Sequence, residues 1–373
     1  MWYNSHTMRK KTIAVLALVL LAGCEPDDGS LDFEKGEAAY AVRDLRAAAT
    51  NFSLAAEKNA TNFVARLRLA LVNVDLGEIE AARTAVESAF AICPESAEAK
   101  LVDGQIAYLA KDYERAKKDF NAVAQAAQLP NGLRSQALSA RAVVEIAANQ
   151  FDRARLTLWR AIRLDRRNAS AWYHLGHLSR DTYRFEDAAL EQFEMAGRLM
   201  KDPARARMIS RETIPALRES FRAKIATKPG AAKRDPGAAA KLVAEAEALA
   251  KKEPKKSAAK YAEAYAKDPL SYAAAWNSAR AFMASAKNDA DVTKALGAFQ
   301  DAIDQRPNSQ ETYLTAARAA LSREKPMRAA KFLSQALAHD PENKTTLAMY
   351  VQTLRRLGKA EEAKLYDEFL KEL

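Results

Sequence analysis

His174 and His177 stand three residues apart, a spacing that sets two imidazoles on one helix face, as two ligands of one metal ion require. Structural zinc takes four protein ligands and catalytic zinc three. No cysteine pair and no further histidine lies close in sequence, so the pair reads as one histidine, His177, turned toward a groove and one, His174, either packed or exposed. Other chemistry is no better supplied. Gly358-Lys359 lacks the earlier glycine and the following Ser or Thr of a phosphate-binding loop, and reads as a turn between helices. No Ser–His–Asp order, nucleophile elbow or paired carboxylates stand out. The abundant carboxylates share helix faces with Lys and Arg, as on solvated surfaces. The sequence predicts no catalytic residue, no metal and no cofactor.

Arginines cluster twice: Arg153, Arg155, Arg160, Arg163, Arg166 and Arg167, then Arg205, Arg207, Arg211, Arg218 and Arg222. Such clusters can form a basic surface for an anionic partner; the plainer reading is a solvated helical surface. The chain has 373 residues and a formal net charge of +10, and three of its positive charges, Arg9, Lys10 and Lys11, lie together near the N-terminus. Abundant alanine and scarce glycine favour helix. By length alone the chain can hold two domains.

Those three basic residues precede an apolar run from Ile13 to Leu20, and Leu21-Ala22-Gly23-Cys24 follows. A basic segment, a short apolar segment and small residues at a cut site make a secretory signal. The run is shorter than the ~20 residues that span a bilayer. Leu21-Ala22-Gly23-Cys24 also resembles a bacterial lipobox. That resemblance implies that residues 1–23 are removed and that Cys24 carries the lipid. Residues 24–30 would form a polar tether, with the rest of the chain on the periplasmic side of an envelope membrane. Asp directly after the cysteine is common in lipoproteins kept at the inner membrane; Glu25 here points to the outer one. Export argues against nucleic acid as a partner. With Cys24 lipidated, Cys93 has no disulfide partner, and a lone thiol before Pro94 is expected to be buried.

The elements that position all these residues come from a repeat. Ala48, Ala82 and Ala116 are 34 residues apart; Phe52, Val86 and Phe120 keep the same step. Ala295, Ala329 and Ala363, and Pro307 and Pro341, keep it near the other end. Trp172-Tyr173-His174-Leu175-Gly176 supplies an aromatic and a Leu-Gly pair; Ala295, Phe299, Ala302 and Pro307 supply a matching second half. This pattern resembles the tetratricopeptide repeat. The resemblance implies an all-α solenoid of antiparallel helix pairs, about nine repeats, in which small residues let helices approach and large ones fill between repeats. Repeats are expected near 31–61, 62–95, 96–130, 132–167, 168–202, 238–269, 270–307, 308–341 and 342–373. Residues 203–237 break the pattern. The expected organisation is an N-terminal array over 31–202, an irregular helix and hinge loop over 203–237, and a C-terminal array over 238–373; the alternative is one continuous superhelix.

The face built by the first helix of each pair is the expected binding surface. Tyr40, Tyr108, Tyr173, His177 and Arg180 are its candidate partner-binding residues, because tyrosine and arginine offer large contact area with a polar tip. Phe33 and Leu101 lie on the same face, with core packing as the competing role. The resemblance implies a non-enzymatic, membrane-tethered scaffold for protein partners, of the kind that helps assemble outer-membrane proteins, secretins or pili. An adaptor for cell-wall or surface-polymer metabolism, holding a polyanion or an enzyme through basic residues, is the alternative.

Overall fold

The computed structural model describes residues 28–227, 233–307 and 309–373, which are helical with no strand among them. Residues 1–27, with the signal and Cys24, lie outside the described residues. The chain divides into two compact units, residues 1–122 and 123–373. The described helices of the first unit are α1 (Ser30–Ala41), α2 (Leu45–Lys58), α3 (Phe63–Leu76), α4 (Ile79–Ile92) and α5 (Ala97–Leu109), and the boundary falls inside α6 (Tyr113–Gln125).

The second unit continues with α7 (Asn131–Ala147), α8 (Phe151–Leu164) and α9 (Ala169–His177), which runs into a π-helical segment, Leu178–Tyr183, before α10 (Glu186–Leu199). Next come α11 (Pro203–Met208), a second π-helical segment (Ile209–Thr213) and α12 (Ile214–Ala226). Four more hairpins close the chain: α13 (Pro236–Leu249) with α14 (Pro254–Lys267), α15 (Tyr272–Ser285) with α16 (Asp289–Gln305), α17 (Gln310–Leu321) with α18 (Pro326–His339), and α19 (Lys344–Arg356) with α20 (Ala360–Glu372).

Local signals start and stop these helices in phase with the repeat. Asn62, Ser96, Asn168, Ser271, Ser309 and Asn343 each cap a first helix by accepting a backbone N–H three residues on. Seven of the turns inside the pairs use a left-handed residue: Arg43, Gly77, Lys111, Asn149, Arg184, Glu324 and Gly358 have positive φ.

Size complementarity then sets the packing within each pair. A Cβ on Gly36 would meet the Phe52 ring at 2.6 Å, and one on Gly104 would meet Phe120 at the same distance. The repeat between them carries Ala70 and Val86 at the equivalent positions, both fully buried in one cluster. A larger residue on the first helix is matched by a smaller one on the second. Gly176 and Phe193 repeat the arrangement, but thirteen residues separate Gly176 from Ala189, where twelve separate Gly104 from Ala116. The π-helical segment absorbs the extra residue.

The sequence divides the repeats at 203–237. In the structure this segment lies within the second unit. The second π-helical segment and α12 cover α10, with Ile209, Ile214 and Leu217 buried against Phe193. Helices from both sides of the segment then meet. Arg155 of α8 is 1 % exposed and reaches the α20 hydroxyl Tyr366 at 2.8 Å and Ser334 of α18 at 2.7 Å, while its neighbour Asp152 accepts from Tyr366 and Tyr183. Burial opposes the charge of Arg155, but Tyr183, Tyr366 and Asp152 hold its proton firmly in place. Cys93 is exposed rather than buried. It caps the end of α4, in the turn before Pro94.

A candidate protein-interaction face

In the second unit, Asn168 starts α9, and its helical register places Tyr173 and His177 one turn apart. Their rings meet edge to face at 4.6 Å, and His177 meets Phe193 at 5.1 Å. Arg180, in the π-helical segment, lies over the same Phe193 at 5.5 Å. It donates to both oxygens of Asp181, at 2.7 and 3.0 Å. This hydrogen-bonded pairing holds the carboxyl of Asp181 below its ordinary range and the guanidinium of Arg180 above its own. The Nδ1 of His177 has Arg180 at 3.0 Å and Asp181 at 3.2 Å. A neutral ring can accept from Arg180 there, and a protonated ring can donate to Asp181. The fold thus brings three of the expected residues into one half-exposed cluster of aromatic, cationic and anionic tips.

His174 has a different environment. Burial, then the nearby charges of His177 and Arg205, push its imidazole down to about 4, so it is neutral near pH 7. Among the described residues no three His, Cys, Asp or Glu side chains form a metal-holding group.

In the first unit, Tyr40 and Tyr108 have unequal surroundings. The Tyr40 hydroxyl donates to Asp75 at 2.9 Å, and Arg43 binds the same oxygen at 3.1 Å. Burial and Asp75 together raise the Tyr40 phenol. Tyr108 is half-buried and leans on Tyr113, with ring centres 6.1 Å apart. Phe33 packs on Phe52 at 5.5 Å, in the core role. Leu101 is partly exposed.

Asp181 was not singled out by the sequence, although its position four residues after His177 was a usable signal. The first arginine cluster is not the continuous basic surface its spacing suggested. Arg155 is buried, and Arg160 forms a two-pronged pair with Glu372 at 2.8 and 2.6 Å. The second cluster is more open: Arg218 pairs with Glu194 and Arg205 with Asp202, while Arg207, Arg211 and Arg222 are exposed and pair with no carboxylate among the described residues.

The family model described as tetratricopeptide repeat matches residues 67–130, 139–203 and 314–372, just over half of the chain. The chain belongs to the tetratricopeptide-repeat family. No curated protein sequence matches it. Among solved structures it is similar to Pseudomonas aeruginosa pilF, at 17% identity and a TM-score of 0.41, over 61% of this chain and 93% of that one. It is similar to MamA from Desulfovibrio magneticus RS-1, at 19% identity and a TM-score of 0.36, over 46% of this chain and 95% of that one. A third is YrrB, described as a tetratricopeptide-repeat protein with an unusual peptide-binding site, at 16% identity and a TM-score of 0.31, over 74% of this chain and 97% of that one. As a tetratricopeptide-repeat scaffold, the chain is built for protein–protein interaction.

Proposed function

We propose that this scaffold works in a bacterial envelope, exported behind residues 1–23 and tethered through Cys24 on the periplasmic side, at the outer membrane rather than the inner. It holds protein partners, without catalysis, during assembly of an outer-membrane protein, a secretin or a pilus. The address rests on Leu21-Ala22-Gly23-Cys24 and the basic and apolar segments before it. The binding role rests on the Tyr173–His177–Arg180–Asp181 cluster, whose aromatic faces and charged tips are already held in place by one another. A preformed face loses little conformational entropy when a partner docks.

A photo-crosslinking residue at position 173 or 180, used in cells, should capture a defined partner. Tyr173→Ala with Arg180→Ala should lose that partner while the helical circular-dichroism signal stays; undiminished capture would move the site elsewhere. Cys24→Ala should remove the lipid mass and release the protein from membranes, and an unaltered mass and membrane fraction would refute the address. Arg207, Arg211 and Arg222, exposed and with no carboxylate partner among the described residues, favour one other reading, an adaptor that holds a polyanion. Affinity that falls steeply with salt marks that case.

A further inference from the structure

In the second unit, α11, the second π-helical segment and α12 run end to end, beyond the stretches that the tetratricopeptide-repeat model matches. Along them Arg207, Arg211, Arg218 and Arg222 recur at steps of four, seven and four residues, the spacing of one helix face. All four are exposed. Ile209, Ile214 and Leu217 are buried and hold another face of the same segment against Phe193. The apolar side thus fixes the segment on α10, and the arginines are left in solvent.

This row is short of counter-charge. Arg218 has Glu194 at 2.7 Å. Arg207, Arg211 and Arg222 pair with no carboxylate among the described residues, and the exposed Glu212 and Glu219 of the same segment do not reach them. Between residues 203 and 223 five arginines stand against two glutamates, a net charge of +3. Arg207 with Arg211, and Arg218 with Arg222, are like charges four residues apart, a spacing that costs a helix stability. An anion laid along the row relieves that cost.

Two further features choose the anion. The guanidinium fork matches the oxygens of a phosphate two at a time. The row also has no walls: Ser210, Glu219 and Ala223 beside it are exposed, and Phe221, the one aromatic between 203 and 223, is half-buried. Proteins that hold a polyanionic strand use a groove with aromatics for stacking. An open row about 20 Å long suits a plane of phosphate headgroups.

We propose that Arg207, Arg211, Arg218 and Arg222 lay this segment on an anionic phospholipid surface, as a second membrane contact beside the lipid at Cys24. The inference rests on the envelope reading. There the tether keeps the chain at the membrane, so a contact of modest strength acts at high local concentration.

The test uses the full chain with Cys24→Ala, so that no lipid is attached. Its partition is measured on vesicles of phosphatidylcholine alone and of phosphatidylcholine with phosphatidylglycerol as about one lipid in three. Each cation near such a surface is worth about fivefold in affinity. Arg207→Gln, Arg211→Gln and Arg222→Gln together should therefore weaken binding to the anionic vesicles by about tenfold or more, with the helical signal unchanged. Arg218 stays, to keep its bond to Glu194. Arg328→Gln, Lys331→Gln and Arg356→Gln remove the same charge from other exposed positions and should change binding less than about twofold. The N-terminal segment is common to all three chains and cancels in the comparison. Equal losses in the two triple variants, or no loss in the first, overturn the proposal. So does tighter binding per phosphate to inorganic polyphosphate, lost in the first variant, which would assign the row to a soluble polymer. The address is read separately, from the lipid mass at Cys24 in cells, so either claim can fail alone.

Discussion

His339 shows how much a single side chain can depend on residues distant in sequence. It lies on α18 and reaches Asp187 at 3.1 Å and Glu191 at 3.0 Å, both on α10. Burial disfavours its charge, but the hydrogen bonds to the two carboxylates outweigh that and raise the imidazole to about 9. The group is protonated in the fold up to that pH, whereas in the unfolded chain it loses its proton near 6.5. Its stabilisation is therefore complete below about pH 6.5 and disappears as pH rises through 9. It is worth up to about 3 kcal/mol. Thermal unfolding followed from pH 6 to 10 should show the melting temperature falling, and His339→Gln should flatten that fall; a parallel slope in the variant would assign the loss to other groups. The sequence shows His339 only as an isolated histidine near a helix end. Its partners are about 150 positions away, and no local spacing reports such a pair. The same holds for Arg155, which looked like one more solvated arginine.

Between paired helices, the alternation of Gly with Phe and Ala with Val is a packing rule that can be exchanged. Gly104→Ala should push the Phe120 ring aside at a cost of about 1–3 kcal/mol, the usual range for overpacking. Adding Phe120→Val recreates the pair found at Ala70 and Val86 and should recover part of that loss. Urea unfolding of the two single variants and the double variant measures the coupling; additive costs would mean that the two positions do not sense each other. This level was the most legible in the sequence. The step of 34 residues from small to small and from large to large position, and the prolines after second helices, follow from local physics. The π-helical segments were not legible, because one extra residue in a helix leaves no mark on composition.

At the level of a whole unit, stacked repeats are expected to contact only their neighbours, so that stability is a sum of local terms. The second unit departs from this. Arg155 and Tyr366 are 211 residues apart and hydrogen-bonded. Removing residues 360–373 takes Tyr366, Phe369 and Glu372 away from α8 and leaves a buried guanidinium short of partners, a defect that commonly costs about 3–5 kcal/mol. Hydrogen exchange on the truncated protein should show protection lost across 151–164 as well as at the new C-terminus. Full protection of 151–164 would restore the neighbour-only description. Repetition reveals what each pair looks like, and it carries no information about where distant pairs meet.

The π-helical turn at Leu178–Tyr183 limits which parts of this array are interchangeable. A consensus repeat of ordinary length, grafted over 168–202, would omit the extra residue and set Tyr183 back by about 100° around the helix axis. Its hydroxyl would then no longer arrive at Asp152, 2.9 Å away in the native chain. Arg180 and Asp181 would rotate away with it. This repeat is keyed: its irregular length ties the exposed cluster to the buried lock beneath it, so neither can be transplanted without the other.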